Sequence, residues 1–203
     1  MIIHPYIINT GATPPAEEWT RPTDWIPIPA ISSGEEVVYL LTRINDNTSN
    51  FVALLFKGNY TVDWGDGTVE NFSSNVKAER NINYADCGNL SELGYKQALI
   101  KVTPQAGQTL NYVNISQVYT GVAVGKSSKF LDVVMNIPNV SGGTNLYIGN
   151  LGNVYHMIVE RIWIKEIGAV TNMQQMFFYC SSLQSVPLFN TGAVTTMQQM
   201  FYY

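Results

Sequence analysis

Apolar residues in the first two thirds of the chain recur in the short runs that are typical of β-strands. Some runs alternate apolar and polar side chains, which indicates a strand with one buried face, and others are continuously apolar, which indicates a fully buried strand. The predicted strands are residues 36–43, 51–56, 59–63, 95–102, 109–115 and 130–137. Short strands at this spacing, separated by turn residues, predict a mainly β fold that contains a β-sandwich.

The strand at residues 59–63 ends in the most informative turn of the chain. Tyr60 and Val62 share one face of this strand, because side chains alternate along it. The sequence W-G-D-G-T follows at residues 64–68, and its two glycines allow the positive φ angles that a tight hairpin requires. We therefore predict a hairpin whose second strand starts near residue 68.

Residues 59–68 resemble the signature of the PKD-like family of immunoglobulin-type β-sandwiches, whose members carry a strand ending in W-G-D-G-T. The resemblance continues through Tyr84, Gly94 and the alternating run that follows, and it covers about residues 50–104. The chain departs from the family pattern at Ile82, where the family often has His, and in an insert at residues 86–93. The resemblance implies a fold used for display and adhesion, and it identifies no ligand.

Near the C-terminus the sequence repeats with an offset of 24 residues. The segment AVTNMQQMF at residues 169–177 recurs as AVTTMQQMF at residues 193–201. A period of this length is typical of leucine-rich-type solenoids, in which each coil has a short strand and an irregular or helical return. The spacing of Met173, Met176 and Phe177 predicts the buried face of a short helix, and a strand is expected at residues 186–188.

This unit resembles the BspA-type repeat of bacterial surface proteins and some bacteriophage proteins. One full copy and part of a second are present, and an earlier diverged coil is expected around residues 146–148. Solenoid coils need neighbours to bury their faces, so a stack that stops in mid-repeat has an apolar end. We therefore expect that the natural chain continues past Tyr203 or that a partner covers this end.

Residues 1–35 are rich in proline and aromatic side chains, which predicts an extended and irregular arm. The apolar side chains of such an arm must pack against another surface. We consider two interpretations: a docking arm that contacts a neighbouring subunit, and a strap across the chain's own domain. Residues 21–29 also resemble the opening of certain bacteriophage tail and virion-surface proteins. The candidate assembly contacts are Tyr6, Trp19, Trp25, Ile26 and Ile28.

Composition and charge narrow the possible functions. Only 13% of residues are charged, the net charge is −4, and the 11 basic residues are scattered, which argues against binding to nucleic acid. The N-terminus lacks the features of a signal peptide, and no apolar run is long enough to span a membrane. We interpret Cys87 and Cys180 as small buried side chains, and a disulfide between them is the less favoured alternative.

Candidate catalytic and metal chemistry is sparse. Asp63 and Asp66 are weak calcium-ligand candidates, because carboxylates on a turn suit a hard cation, but ordinary turn chemistry is the favoured interpretation. The glycine-rich run at residues 121–127 approximates a phosphate-binding loop, yet it has three residues between its glycines where four are required. We predict a protein that is not an enzyme and that has no cofactor.

These patterns predict four consecutive parts. They are a docking arm (residues 1–35), a PKD-like β-sandwich (36–104), a β-rich connecting region or first diverged solenoid coils (105–160), and BspA-type repeats (161–203). The order favours a structural protein of a bacteriophage virion, in the tail or a surface fibre, that is made in the host cytoplasm.

The expected partners follow from this order. The arm would bind other virion proteins within a homo-oligomer or larger assembly, and the solenoid would contact a host-surface glycan or protein. The alternatives are a bacterial cell-surface adhesin and a carbohydrate-binding module of a longer protein.

Overall fold

A computed structural model describes residues 19–46, 49–88, 90–122, 129–140, 146–149, 158–186 and 190–202. This part of the chain is mainly β, and its helical content is one 3₁₀ turn at Tyr84–Asp86. It contains no helix with the length and apolarity needed to cross a bilayer. The strands are β1 (Val37–Ile44), β2 (Phe51–Lys57), β3 (Tyr60–Asp63), β4 (Val69–Phe72), β5 (Lys77–Asn81), β6 (Lys96–Pro104), β7 (Tyr112–Asn114), β8 (Phe130–Asn136) and β9 (Arg161–Ile164).

The strands form two sheets. The larger sheet has six strands in the order β4-β3-β6-β1-β8-β9, and the smaller has three in the order β5-β2-β7. Neighbouring strands are antiparallel except for β8 and β9, which are parallel. The prediction of a mainly β fold built from sheets is confirmed, and the arrangement is consistent with a β-sandwich.

A continuous apolar core lies between the two sheets. Val38 and Leu40 of β1 face Leu54 and Phe56 of β2 in this core, and all four side chains are buried. The alternation predicted for β3 is confirmed, because Tyr60 and Val62 are fully buried whereas Asp63 is exposed. Trp64 is also buried at the end of this strand, where its large side chain adds to the core.

Strands that follow residue 104 complete the sheets formed by residues 36–104. β7 pairs with β2, and β8 pairs with β1 in a register that places Val133 opposite Leu40. All seven residues of β8 are buried, because this strand has a neighbour on each side and apolar layers on both faces. The sheets therefore extend across the boundary expected at residue 104.

The chain beyond β8 adds a parallel strand to the edge of the larger sheet. β9 pairs with β8 and places Ile162 beside Val133, and Arg161 then bridges to Ser185. A second parallel bridge joins Asn172 to Thr196, at the same 24-residue offset as the sequence repeat. The two copies of the repeat therefore lie against each other in register.

Backbone hydrogen bonds hold this register along the repeat. The amides of Met173, Gln175, Phe177 and Tyr179 donate to carbonyls of the next copy over distances of 2.9–3.1 Å. Aromatic side chains repeat the contact, because the ring centroids of Phe177 and Phe201 are 5.1 Å apart. The first copy of the repeat thus provides a surface on which the second copy packs.

The short helix predicted over residues 173–177 is not formed. Successive turns replace it, because Gln175 has a φ of 58°, which a right-handed helix does not accommodate. Met173, Met176 and Phe177 nevertheless face the core and are at most 1% exposed, as their spacing predicts. The strand expected at residues 186–188 falls mostly outside the described residues.

Candidate assembly site

Residues 19–35, which we call the strap, cover the outer face of the six-stranded sheet. Val37, Tyr39 and Leu41 of β1 point to this outer face, opposite the residues that fill the main core. Trp25 is 4% exposed and packs with Leu41 in an outer cluster. The strap therefore turns a solvent-facing sheet surface into a second apolar layer.

The second half of the strap packs further along the same face. Ile28 and Ile31 contact a cluster built on Val37, Tyr39 and Val134. Prolines at positions 27 and 29 keep this segment extended, so that its side chains reach the sheet without forming a strand of their own. Apolar side chains of the strap thus pack on three neighbouring strands of the sheet, β6, β1 and β8.

Polar side chains fix the strap at its centre. The Ile26 amide donates to Oε1 of Gln97 over 2.8 Å, and Nε2 of the same glutamine donates to the Asp24 carbonyl over 3.0 Å. Trp25 Nε1 donates to the Tyr95 hydroxyl over 3.3 Å. A buried glutamine on β6 therefore replaces the backbone partner that an adjacent strand would supply.

A buried ion pair joins the strap to the last two strands of the sheet. The Asp132 side chain is completely buried on β8, and its oxygens accept from Arg21 Nε at 2.8 Å and from Arg161 Nε and Nη2 at 2.8 and 2.7 Å. The two guanidinium groups lie near Trp25 and Trp19, respectively, at 5.4 and 5.7 Å from the ring centroids. Paired charges satisfy the carboxylate, which would be costly to bury alone.

The structure places the candidate assembly residues in different environments. Trp25 is buried within its own chain, whereas Trp19, Ile26 and Ile28 are partly exposed along the strap. Tyr6 lies outside the described residues. The strap interpretation describes the packing of residues 19–35, and contact of the arm with another subunit stays a prediction.

A groove of about 340 Å³ opens between the strap and β9. Its walls are mainly apolar and are formed by Ile28, Pro29, Ala30, Ile31, Val134, Arg161 and Trp163. Lys165 donates from Nζ to the carbonyls of Ile31 and Ser32, both over 3.3 Å, and holds the end of the strap beside it. The groove can accept an apolar side chain of a partner.

The hairpin carboxylates are used within the turn. Asp66 accepts from the Thr68 amide over 3.0 Å and pairs with Arg80 Nε at 2.5 Å, and Asp63 accepts from the Gly65 amide over 3.0 Å. A calcium ion at Asp66 would have to displace a guanidinium. The described residues contain no group of three or more His, Cys, Asp or Glu side chains arranged to hold a metal.

Both cysteines are free thiols inside the protein. Burial raises the pKa of Cys87 to about 11 and that of Cys180 to about 12, which keeps both in the unreactive thiol form. Residues 123–127 of the glycine-rich run lie outside the described residues. The favoured interpretation of the cysteines as small buried side chains is confirmed.

The residues that join the strap to the sheet were missed by the sequence reasoning. Asp132 interrupts the apolar run FLDVVM, and an isolated carboxylate in such a run is a signal for a buried charge that needs a partner.

Comparisons of the chain with protein-family models, with curated proteins and with solved structures found no match.

Proposed function

We propose that this chain is a non-enzymatic structural protein of a bacteriophage virion, located in the tail or in a surface fibre. In this proposal a PKD-type sandwich carries the start of a leucine-rich-type solenoid, and the N-terminal arm attaches the body to other virion proteins. The solenoid then projects away from the attachment point and contacts the host surface. The role depends on shape and apolar burial between chains rather than on a reaction.

One observation carries the proposal: β8 belongs to the larger sheet and also pairs in parallel with β9, from which the chain leads into the 24-residue repeat. β8 pairs with β1 on one side and with β9 on the other, and β9 bridges to the next coil at Ser185. Strand pairing through β8 therefore ties residues 161–164 directly to the larger sheet. A body of this kind suits a rigid spacer that holds a contact surface at a fixed distance and orientation.

Charge distribution supports a structural role. Residues 167–203 contain no Asp, Glu, Lys, Arg or His, so the coils contact their surroundings through amide, hydroxyl, aromatic and aliphatic groups. Several buried or half-buried carboxylates elsewhere have structural partners, as Asp66 has Arg80 and Asp132 has Arg21 and Arg161. These groups stabilise turns and layers of the fold.

Purified particles test the proposal. Lysates of cells that produce this chain should be fractionated on a density gradient, and the particle fraction examined by quantitative mass spectrometry and immunogold electron microscopy. We expect the chain to co-purify with particles in a fixed ratio to the major coat protein, with label on the tail or its fibres. Recovery in the cell-envelope fraction alone would overturn the virion role and favour the adhesin alternative.

A further inference from the structure

Two positively charged side chains face each other at one end of the larger sheet. Thr42 of β1 lies opposite Phe130 of β8, and the Arg43 amide donates to the Lys129 carbonyl over 2.9 Å. This antiparallel register places Arg43 directly opposite Lys129. Residues opposite each other on antiparallel strands project to the same face of the sheet, with their Cβ atoms about 5 Å apart. We call Arg43 and Lys129 the cation pair.

The cation pair lies on the outer face of the sheet, beside the strap. Arg43 follows Leu41 by two residues along β1, and Leu41 belongs to the outer cluster. The Arg43 guanidinium lies 4.8 Å from the ring centroid of Tyr95, which packs in the same cluster with Trp25 of the strap. Arg43 and Lys129 are both half-buried, so water screens their charges only in part.

The cation pair has no carboxylate partner in the part of the chain that the structure describes. The other three arginines do have one, because Arg21, Arg80 and Arg161 pair with buried carboxylates at 2.5–2.8 Å. The Arg43 side chain donates from Nε to Asn45 Oδ1 over 2.9 Å. Its two Nη groups and the Lys129 ammonium are left without a hydrogen-bond partner among the described residues.

The arrangement is electrostatically unfavourable as it stands. Like charges directly opposite each other on neighbouring strands are destabilising. Burial and the positive charge of Arg43 lower the pKa of Lys129 from its ordinary value of 10.5, so the two groups interact. The chain as a whole has a net charge of −4 and does not attract anions at long range. An anion between the two cations would therefore be held by local contacts, and it would relieve their repulsion.

We propose that the cation pair is a binding site for a phosphate group, as inorganic phosphate or as a phosphate monoester. A phosphate monoester carries a charge of about −1.5 to −2 at pH 7 and three strong acceptor oxygens, so one group neutralises both cations. The Nη groups of Arg43 form a planar fork that matches two of these oxygens, and Lys129 donates to the third. A carboxylate has a single charge and leaves one cation uncompensated.

A single phosphate group fits this site better than a nucleic acid does. Tight binding of a phosphate backbone requires many Lys and Arg contacts, and the described residues around the cation pair supply two. The site lies on the sandwich and the strap rather than on the repeats. It therefore does not depend on the virion role.

Titration of the full chain with inorganic phosphate tests the proposal. Amide NMR at pH 7 follows the Arg43 Nε–H and Lys129 N–H signals while phosphate replaces sodium chloride at constant ionic strength. A hexose 6-phosphate and acetate are titrated in parallel. We expect both phosphates to shift these signals saturably and acetate to bind about tenfold more weakly, because it compensates one charge. The tighter of the two phosphates shows whether the free ion or the ester is the preferred form.

Variants of the cation pair locate the site. Lys129→Glu places a carboxylate opposite Arg43 and supplies the missing ion pair within the chain, so we expect it to fold and to bind phosphate at least about tenfold more weakly. Arg43→Gln removes the fork and should weaken binding to the same extent. Lys57→Gln is the matched control, since Lys57 lies over the Tyr112 ring at 5.1 Å but is opposite this tyrosine instead of a second cation.

The control variant should bind phosphate as the natural chain does. Three results would overturn the proposal: shifts that do not saturate in the natural chain, equal affinities for acetate and phosphate, and undiminished phosphate binding by Lys129→Glu. Loss of binding in Lys57→Gln to the same extent as in Arg43→Gln would also overturn it, because attraction to any lysine would then explain the shifts.

Discussion

At the scale of single residues, two buried carboxylates illustrate how burial and charge pairing oppose each other. Asp132 is fully buried between Arg21 and Arg161, which pair with both of its oxygens. Glu36 is 8% exposed, and its partners within the described part of the chain are neutral, Asn139 Nδ2 and the Leu110 backbone, with none there for its Oε1. Burial therefore raises the pKa of Glu36 above its ordinary value of 4.5.

The raised pKa of Glu36 predicts a specific pH dependence of stability. The folded state holds a proton at Glu36 more tightly than the unfolded state does. The contribution of this residue is therefore present in full below about pH 4.5 and is lost as the pH rises through the folded pKa. We expect the Glu36→Gln variant to gain stability relative to the natural chain as the pH is raised from 4.5 to 7, measured by urea unfolding.

A Glu92→Gln variant, changed at an exposed carboxylate, is the control and should follow the natural chain. Parallel profiles for Glu36→Gln and the natural chain would contradict the prediction.

The sequence predicts residues whose partners are close along the chain and misses those whose partners are distant. Turn chemistry at Asp66 could be predicted because the Thr68 amide is two residues away. The partners of Asp132 are 111 and 29 residues away, so local spacing carries no information about them. Asp132 is visible in the sequence only as an anomaly in an apolar run.

At the scale of elements, the strands were predictable and the repeat turns were not. Alternation and apolar runs identify β1, β2 and β8 because each buries a face by period two. The spacing of Met173, Met176 and Phe177 fits a helix equally well as it fits successive turns. The positive φ of Gln175 distinguishes the two, because a right-handed helix excludes it. Glutamine seldom adopts a positive φ, so the sequence does not predict this conformation.

The left-handed turn residue predicts the effect of substitution at Gln175. Gln175 and Gln199 have φ angles of 58° and 55° at equivalent places in the two copies. Glycine adopts this conformation without steric cost, so we expect Gln175→Gly to raise the free energy of unfolding by about 0.5 kcal/mol or to leave it unchanged. Gln175→Val, with a β-branched side chain, should lower it by about 1–2 kcal/mol. Thermal unfolding measures both, and equal destabilisation by Gly and Val would show that the side-chain bond to Gln199 dominates instead.

The strap predicts local opening when its main anchor is removed. Truncation of a buried tryptophan costs about 3–5 kcal/mol, and Trp25 is the buried strap side chain in the outer cluster, where Trp19 and Ile26 are only partly buried. We expect Trp25→Ala to free the Ile26 amide, which donates to Gln97, so that its hydrogen exchange becomes at least a hundredfold faster while β2 keeps its protection. Thr23→Ala, at an exposed strap position, should leave both unchanged. Loss of protection in β2 as well would show that the strap folds together with the core.

At the scale of the whole molecule, two patterns that differ in the sequence share one structure. The hairpin motif and the 24-residue repeat predict separate modules, because each pattern reports only its own local periodicity. Apolar residues from both nevertheless belong to one core cluster, which includes Trp64 of the hairpin and Phe177 of the repeat. The link is β8, which pairs with β1 on one side and with the parallel strand β9 on the other.

This shared strand predicts that β1, β8 and β9 unfold cooperatively. Val133 of β8 is 1% exposed and lies opposite Leu40 of β1 and beside Ile162 of β9. Because it supports both neighbours, Val133→Ala should lower the opening free energies of the Leu40 and Ile162 amides by the same amount, about 2 kcal/mol. Native-state hydrogen exchange measures both amides, and calorimetry should show one transition. Val69→Ala makes the same chemical change at a side chain that is 60% exposed, and it should alter neither amide. Two transitions, with the weaker one alone shifted by Val133→Ala, would mean that the coils fold independently and only rest against the sandwich.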